Sequence, residues 1–366
     1  MTTALGIKRI MREQLRRSPR LFSLVHQIKF RLSPQRIMHK WINRLLHSAH
    51  RKNSTVIASP NYLGYKGGLY NPGAVPVEGG ATLLLAKAQT CHWWDAVGVH
   101  ADAYYGGDPV MFMLDPALQV ISSQVVSMDD SYPTDRPVGY EDFRLFRYKG
   151  AIWANHGMIS IVKKHSCAST YNAATPCLSR LDPEQACLSL MGHPQLDFET
   201  ATIEKNWLFF ECRGELYLLY SFSPYRLLKL VDPANLAFET VIQQELSEPF
   251  CDVGGFGTMM SLSTNPIEYD DKSLLLLVHQ IERRGIERFY HHWAVLVDQA
   301  TLLPTKITRQ PLFSGMGGRG RRAGIVYVSS VIRRDNQFVF YMGEGDAYVT
   351  HAALSRELID SLLIEV

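Results

Sequence analysis

The chain has 366 residues, 46% hydrophobic and 20% charged, a globular composition with room for one large domain and an accessory segment. Its six cysteines are scattered without a CxxC pair or a zinc-type Cys/His spacing, which argues against a disulfide framework and a structural metal site. Thirteen of the 38 Lys and Arg residues, but only one of the 35 acidic residues (Glu13), fall in residues 1–52, so that stretch carries +12 and the remainder −9.

The opening residues have charge but no apolar stretch or cleavage site of a secretory signal. The longest aliphatic run, Leu274 to Val278, is too short to span a bilayer. A cytoplasmic location with free thiols is the expectation. Ser18-Pro19 and Ser33-Pro34 each put a capping hydroxyl before a proline at a first helical position. Behind them, Leu21, Leu24, Val25, Ile28 and Leu32, then Met38, Trp41, Ile42 and Leu45, recur at helical spacing. Residues 1–52 therefore read as a basic amphipathic helical segment. Its two readings are a peripheral contact with an anionic membrane surface and a solvated basic face packed on the body. No nucleic-acid-binding module accompanies the charge, so nucleic acid is not an expected partner.

From residue 53 the pattern changes to short β-type segments separated by Gly, Pro, Asp and Asn turns. Hairpins are expected at Tyr148-Lys149-Gly150, Arg213-Gly214-Glu215 and Asp335-Asn336. The plan returns near residues 71, 142, 205, 256 and 325, which predicts an all-β, five-bladed β-propeller over 53–366. Residues 161–198, polar and bearing Cys and Pro, read as an insertion between blades. The end of the chain, from Leu354, reads as a closing helix.

Blades of a propeller converge on one channel, so reactive residues at matched points of successive repeats are the candidates for chemistry. The chain offers Asn71-Pro72-Gly73, Glu141-Asp142-Phe143-Arg144, Glu204-Lys205-Asn206-Trp207, Gly254-Gly255 and Gly343-Glu344-Gly345-Asp346. In that order these motifs resemble glycoside hydrolase family 130 and its kin, the β-mannoside phosphorylases and related β-1,2-mannosyltransferases. The resemblance runs from about Tyr70 to the C-terminus. It implies a five-bladed propeller, with Asp142 as the acid/base of glycosyl transfer.

The resemblance also implies Asn71, Lys87 and Asp346 as contacts for sugar hydroxyls and Lys205 as a phosphate contact. Glu141, Arg144, Asn206, Trp207 and His279 complete the expected sugar-binding set. Each has a plainer reading: Arg144 as a salt bridge with Asp142, Lys205 as an ion pair with Glu204, Asp346 as a turn residue. The chain departs from the family where Phe222-Ser223-Pro224 stands in place of the usual His-Arg-Pro, so one phosphate ligand is missing. His291, His292 and the Gly/Arg run containing Arg319, Arg321 and Arg322 are the alternative donor contacts. The expected function is a glycosyltransferase of mannosyl type, moving a sugar from a sugar-phosphate or nucleotide-sugar donor to a glycan acceptor without cofactor or metal. A phosphorylase using inorganic phosphate, a hydrolase with Glu141 or Glu282 as base, and a non-catalytic glycan-binding propeller are the alternatives.

Overall fold

The structure is a computed structural model that describes residues 54–90, 108–133, 138–162, 170–284, 287–315, 318–320, 322 and 324–365. The basic segment expected over 1–52, Cys91, Cys167 and Arg321 lie outside the described residues. The described chain is mostly β, as its alternating apolar segments predict.

Strand β1 (Thr55–Ala58) leads and joins the last sheet. The first sheet holds β2 (Gly68–Pro76), β3 (Thr82–Gln89), β4 (Pro109–Leu114) and β5 (Val120–Val125) in chain order. The second contains β6 (Ser127–Met128), β7 (Val138–Tyr148), β8 (Ala151–Val162), β9 (Thr170–Asp182) and β10 (Cys187–Gly192). In the third are β11 (Gln195–Leu196), β12 (Leu208–Cys212), β13 (Glu215–Ser221), β14 (Tyr225–Asp232) and β15 (Ala237–Gln244). The fourth holds β16 (Ser261–Leu262), β17 (Ile267–Glu268), β18 (Ser273–Arg284), β19 (Glu287–Asp298), β20 (Pro304–Thr308) and β21 (Phe313–Ser314). The fifth holds β22 (Val326–Arg334), β23 (Gln337–Glu344) and β24 (Tyr348–Ser355), with β1 at its edge. Helix α1 (Arg356–Leu362) follows, capped by the Ser355 hydroxyl, and β25 (Leu363–Glu365) returns to the fourth sheet.

The turns form where the sequence demands them. Lys149-Gly150 and Arg213-Gly214 have positive φ at both residues and close two-residue hairpins whose twist matches their strands. Residues 161–198 are not an insertion: β9 and β10 are the third and fourth strands of the second sheet. In β9 a buried run from Pro176 to Ser179 mixes Pro, Cys and Ser with Leu178, so burial there carries no apolar signature.

Five apolar clusters hold the sheets together, each between consecutive sheets. Leu83, Leu85, Phe143 and Leu145 join the first to the second, and Phe146, Leu178, Phe209 and Leu218 join the second to the third. Phe210, Phe222, Leu276 and Trp293 join the third to the fourth; Leu277, Phe313, Val328 and Phe340 join the fourth to the fifth. Leu84, Phe112, Val339 and Tyr341 join the fifth back to the first, closing a ring. Strand β3 is buried at every position, because it is covered on both faces. Each leucine buried there contributes about 1.5–3 kcal/mol. The ring brings β2, β7, β12 and β22 together at its centre, and β2 and β7 carry Asn71, Glu141, Asp142 and Arg144.

Candidate active site

Three polar residues at the inner strands share one unusual backbone. Asn71, Asp142 and Asn206 have φ of 50°, 59° and 63°, a left-handed region that Asn and Asp tolerate better than other side-chain-bearing residues. Strands β2 and β7 bulge at Asn71 and Asp142, which re-aims their side chains. The result is a contact between sheets: Asn71 Nδ2 donates to Asp142 Oδ1 at 2.7 Å. Close backbone approach makes this possible. A Cβ on Gly73 would lie 2.7 Å from the Leu145 nitrogen, and one on Gly343 would lie 2.3 Å from Asn71 Oδ1.

Beside this pair, Glu141 lies between two lysines. Lys205 donates to its Oε1, and the fully buried Lys87 ammonium lies 3.9 Å from Oε2. Burial lowers the Lys87 pKa, and the Glu141 and Asp142 carboxylates act against that shift. Asp346, also close enough to favour the charged lysine, pairs with Arg322. Asp346 arrives from the β23–β24 hairpin turn.

Arg144 makes no side-chain salt bridge with Asp142. Its Nη1 instead donates to the Asp142 carbonyl at 3.2 Å, and Nε to the Ser263 carbonyl at 2.7 Å. Nη2 donates to Asn206 Oδ1 at 3.1 Å and to the Tyr327 hydroxyl, which itself donates to Asn206 Oδ1 at 3.0 Å. One guanidinium thus ties the second sheet to the third, to the Ser263 segment and to the fifth. At 2% exposure it is a structural hub, not an open sugar contact.

A cleft of about 290 Å³ opens next to Asp142, between the ends of the second and third sheets. Glu141, Asp142, Arg144, Glu204, Lys205, Asn206 and Trp207 line it, with Asn155, His156, Gly157 and Pro176. Trp207 is buried, its indole N–H directed to Glu204 Oε2 at 3.2 Å, so Glu204 serves the aromatic wall rather than Lys205.

The remaining expected contacts do not line this cleft, although His279 adjoins the Arg144 hub through Ser263 and Tyr327. His279 is buried in a cluster with Tyr290, His292 and Tyr327, and its Nδ1 bonds the Ser263 hydroxyl at 2.8 Å. His292 Nε2 accepts the Val328 N–H at 3.2 Å, and His291 meets Glu282 and the Phe256 ring. Both neighbours of that pair are buried because β19 is covered on both faces. Arg319 binds Glu344, which is fully buried, and the hydroxyl and carbonyl of Ser54, so it anchors its loop instead of presenting a free fork. Sequence reasoning missed Tyr327, Ser263 and His156. Tyr327 lies near the start of β22, Ser263 just after β16 and His156 within β8, so strand position offers no common signal.

His156 and His279 have pKa values pushed down to about 3, burial being the main cause for each. The unfolded chain binds protons there near pH 6.5, and the folded one only near pH 3. Their contribution to stability is therefore complete above about pH 6.5 and declines as the pH falls toward 3. Each adds a slope of up to about 1.4 kcal/mol per pH unit in that window. Urea titrations should show a clearly lower unfolding free energy at about pH 5 than at about pH 7; equal values would contradict this burial.

With this geometry in place, solved structures give the fold its relatives. No protein-family model matches the sequence, and no curated protein matches it. Among solved structures, the β-1,2-mannobiose phosphorylase from Listeria innocua superposes with a TM-score of 0.57 at 13% identity, covering 84% of this chain and 96% of that one. A structure described under the GH130 family of mannoside phosphorylases, containing glycoside hydrolases that target β-1,2 mannosidic linkages in Candida mannan, gives 0.59 at 13% identity over 80% and 85%. A GDP-Man-dependent mannosyltransferase from Leishmania mexicana gives 0.55 at 10% identity over 86% and 92%. The fold is GH130-like. Among the described residues of this GH130-like chain, no helix is long and apolar enough to cross a membrane.

Proposed function

We propose that the five-sheet ring is a five-bladed β-propeller whose centre transfers a sugar, of mannosyl type, from a sugar-phosphate or nucleotide-sugar donor to a glycan acceptor. The observation that carries this reading is the Asp142 carboxylate, fixed by Asn71 within a cluster that also holds Lys87 and Lys205. Glycosyl transfer needs a carboxyl group to move a proton at the glycosidic oxygen and positive charge to hold the donor's phosphate. The acceptor hydroxyl attacks the anomeric carbon, the bond to the donor phosphate breaks, and Asp142 takes the hydroxyl proton. Lys205 and Arg322, both part-exposed, are the cations suited to the departing phosphate. Asp346 is suited to grip sugar hydroxyls.

The solved relatives include a phosphorylase, hydrolases and a GDP-Man-dependent transferase, so the reaction within this class rests on the chain's own residues. Phe222 favours transfer from a bound donor over use of inorganic phosphate. It is 1% exposed, packed against Tyr225 and Phe250, and offers no ligand where the resemblance implies a histidine. A hydrolase is less well served, since Glu141 is engaged by lysines and Glu282 by Arg284 and His291. We also propose that residues 1–52 bring the catalytic unit, 53–366, to an anionic membrane surface on its cytoplasmic side. The reaction is tested by incubating the full chain and a β-mannobiose acceptor with GDP-mannose or with mannose 1-phosphate, and separately by incubating it with β-mannobiose and inorganic phosphate. Release of GDP or phosphate together with a lengthened glycan is expected. Turnover with inorganic phosphate alone would replace this reading by the phosphorylase one.

A further inference from the structure

The cleft beside Asp142 is a small pocket at the ends of the second and third sheets. A chain of several sugars would reach past it. Beyond the Trp207 wall, the third sheet ends in a row of aromatic and polar side chains. The strand registers place Ser221 opposite Arg226 and Arg226 opposite Gln243, so this row runs outward from Asn206 along the sheet end.

The rings follow one another along the row. Trp207 and Tyr220 have centroids 5.3 Å apart, and Tyr220 meets Phe198 edge-on at 5.0 Å. The Arg226 guanidinium lies 4.0 Å from the Phe198 centroid and donates to Gln243 Oε1. Glu204 fixes the inner rings, accepting the Tyr220 hydroxyl at 2.7 Å and the Trp207 indole N–H at 3.2 Å. Phe198, Tyr220 and Arg226 are all half-buried, so part of each remains open to solvent. Aromatic faces take the C–H faces of a pyranose, and fixed carboxylate, amide and guanidinium groups take its hydroxyls. A rim that merely sealed the core would need only aliphatic side chains; here polar groups are attached to every ring.

We propose that this row, Tyr220–Phe198–Arg226, backed by the buried Trp207, is an acceptor subsite that binds further sugar units of an oligosaccharide chain whose end lies at Asp142. The proposal deepens the reading of the Asp142 centre as a sugar-transfer site and rests on it. It makes the substrate an oligosaccharide rather than a single sugar.

Calorimetric affinities for β-1,2-mannobiose and β-1,2-mannotetraose test it, with the full chain and with its Arg226→Ala and Phe198→Ala variants. The full chain should bind the tetrasaccharide roughly tenfold more tightly than the disaccharide, and either variant should lose that gain. Arg226 lies at the sheet end, so Arg226→Ala keeps the test open if Phe198→Ala disturbs the fold. An equal affinity for both lengths in the parent protein, or an undiminished gain in both variants, overturns the subsite. Binding needs no donor, so the two readings fail separately. Tetrasaccharide binding without transfer from any donor would remove the transfer reading and keep the subsite. Transfer with the same KM for both acceptor lengths would do the reverse.

Discussion

Replacing Asp142 by Asn should reduce turnover by roughly 10²–10⁴-fold, the range for loss of a positioned general acid or base. The fold should hardly notice. Asparagine tolerates the left-handed φ of 59° and keeps an oxygen to accept the Asn71 amide N–H. The unfolding free energy is therefore expected within about 0.5 kcal/mol of the parent. Steady-state rates and a urea titration on the same preparation check both halves. A variant that turns over at the parental rate would remove Asp142 from the chemistry.

Arg144→Met should have the opposite profile, with stability and activity falling together. The methionine fills similar space but strips donors from the Ser263 and Asp142 carbonyls, Asn206 Oδ1 and the Tyr327 hydroxyl. Leaving such buried groups unpaired costs about 3 kcal/mol or more. Because the same guanidinium holds the Asp142 backbone, its loss should also misplace the carboxylate, worth on the order of 10² in rate. Arg144→Lys is expected to recover little, since an ammonium cannot reproduce the planar fork. If Arg144→Met unfolds within about 0.5 kcal/mol of the parent protein, the hub role is wrong.

The contrast between these residues explains what the amino-acid order reveals. Strand pattern, the hairpins at Lys149-Gly150 and Arg213-Gly214, and the five returns of the plan are local signals, and the structure follows them. Asn71, Asp142 and Asn206 were singled out by the order of motifs that resembles family 130, and the structure adds the left-handed backbone they share. Arg144 was legible as important but not in its role, for its partners come from segments up to 183 positions away. The Gly/Arg loop misled for a similar reason. Arg319 looks free in the sequence, yet its partner Glu344 sits inside the very motif read as sugar-binding. Strands β9 and β10 were hidden because β9 buries Pro176, Cys177 and Ser179 beside Leu178 and β10 is only part-buried, so neither shows a clean apolar pattern.

The acceptor row on the third sheet left no motif at all. Tyr220 and Arg226 lie on neighbouring strands and Phe198 in the segment after β11, so the three meet only in the folded chain.

The account turns on one carboxylate, that of Asp142, receiving a sugar whose phosphate lies by Lys205. A crystal structure of the Asp142→Asn protein soaked with GDP-mannose tests this most directly. The expected result is a mannose ring within hydrogen-bond reach of residues 71 and 142, with a phosphate oxygen at the Lys205 ammonium. A donor bound elsewhere on the ring of sheets, with this cleft left unfilled, would contradict it.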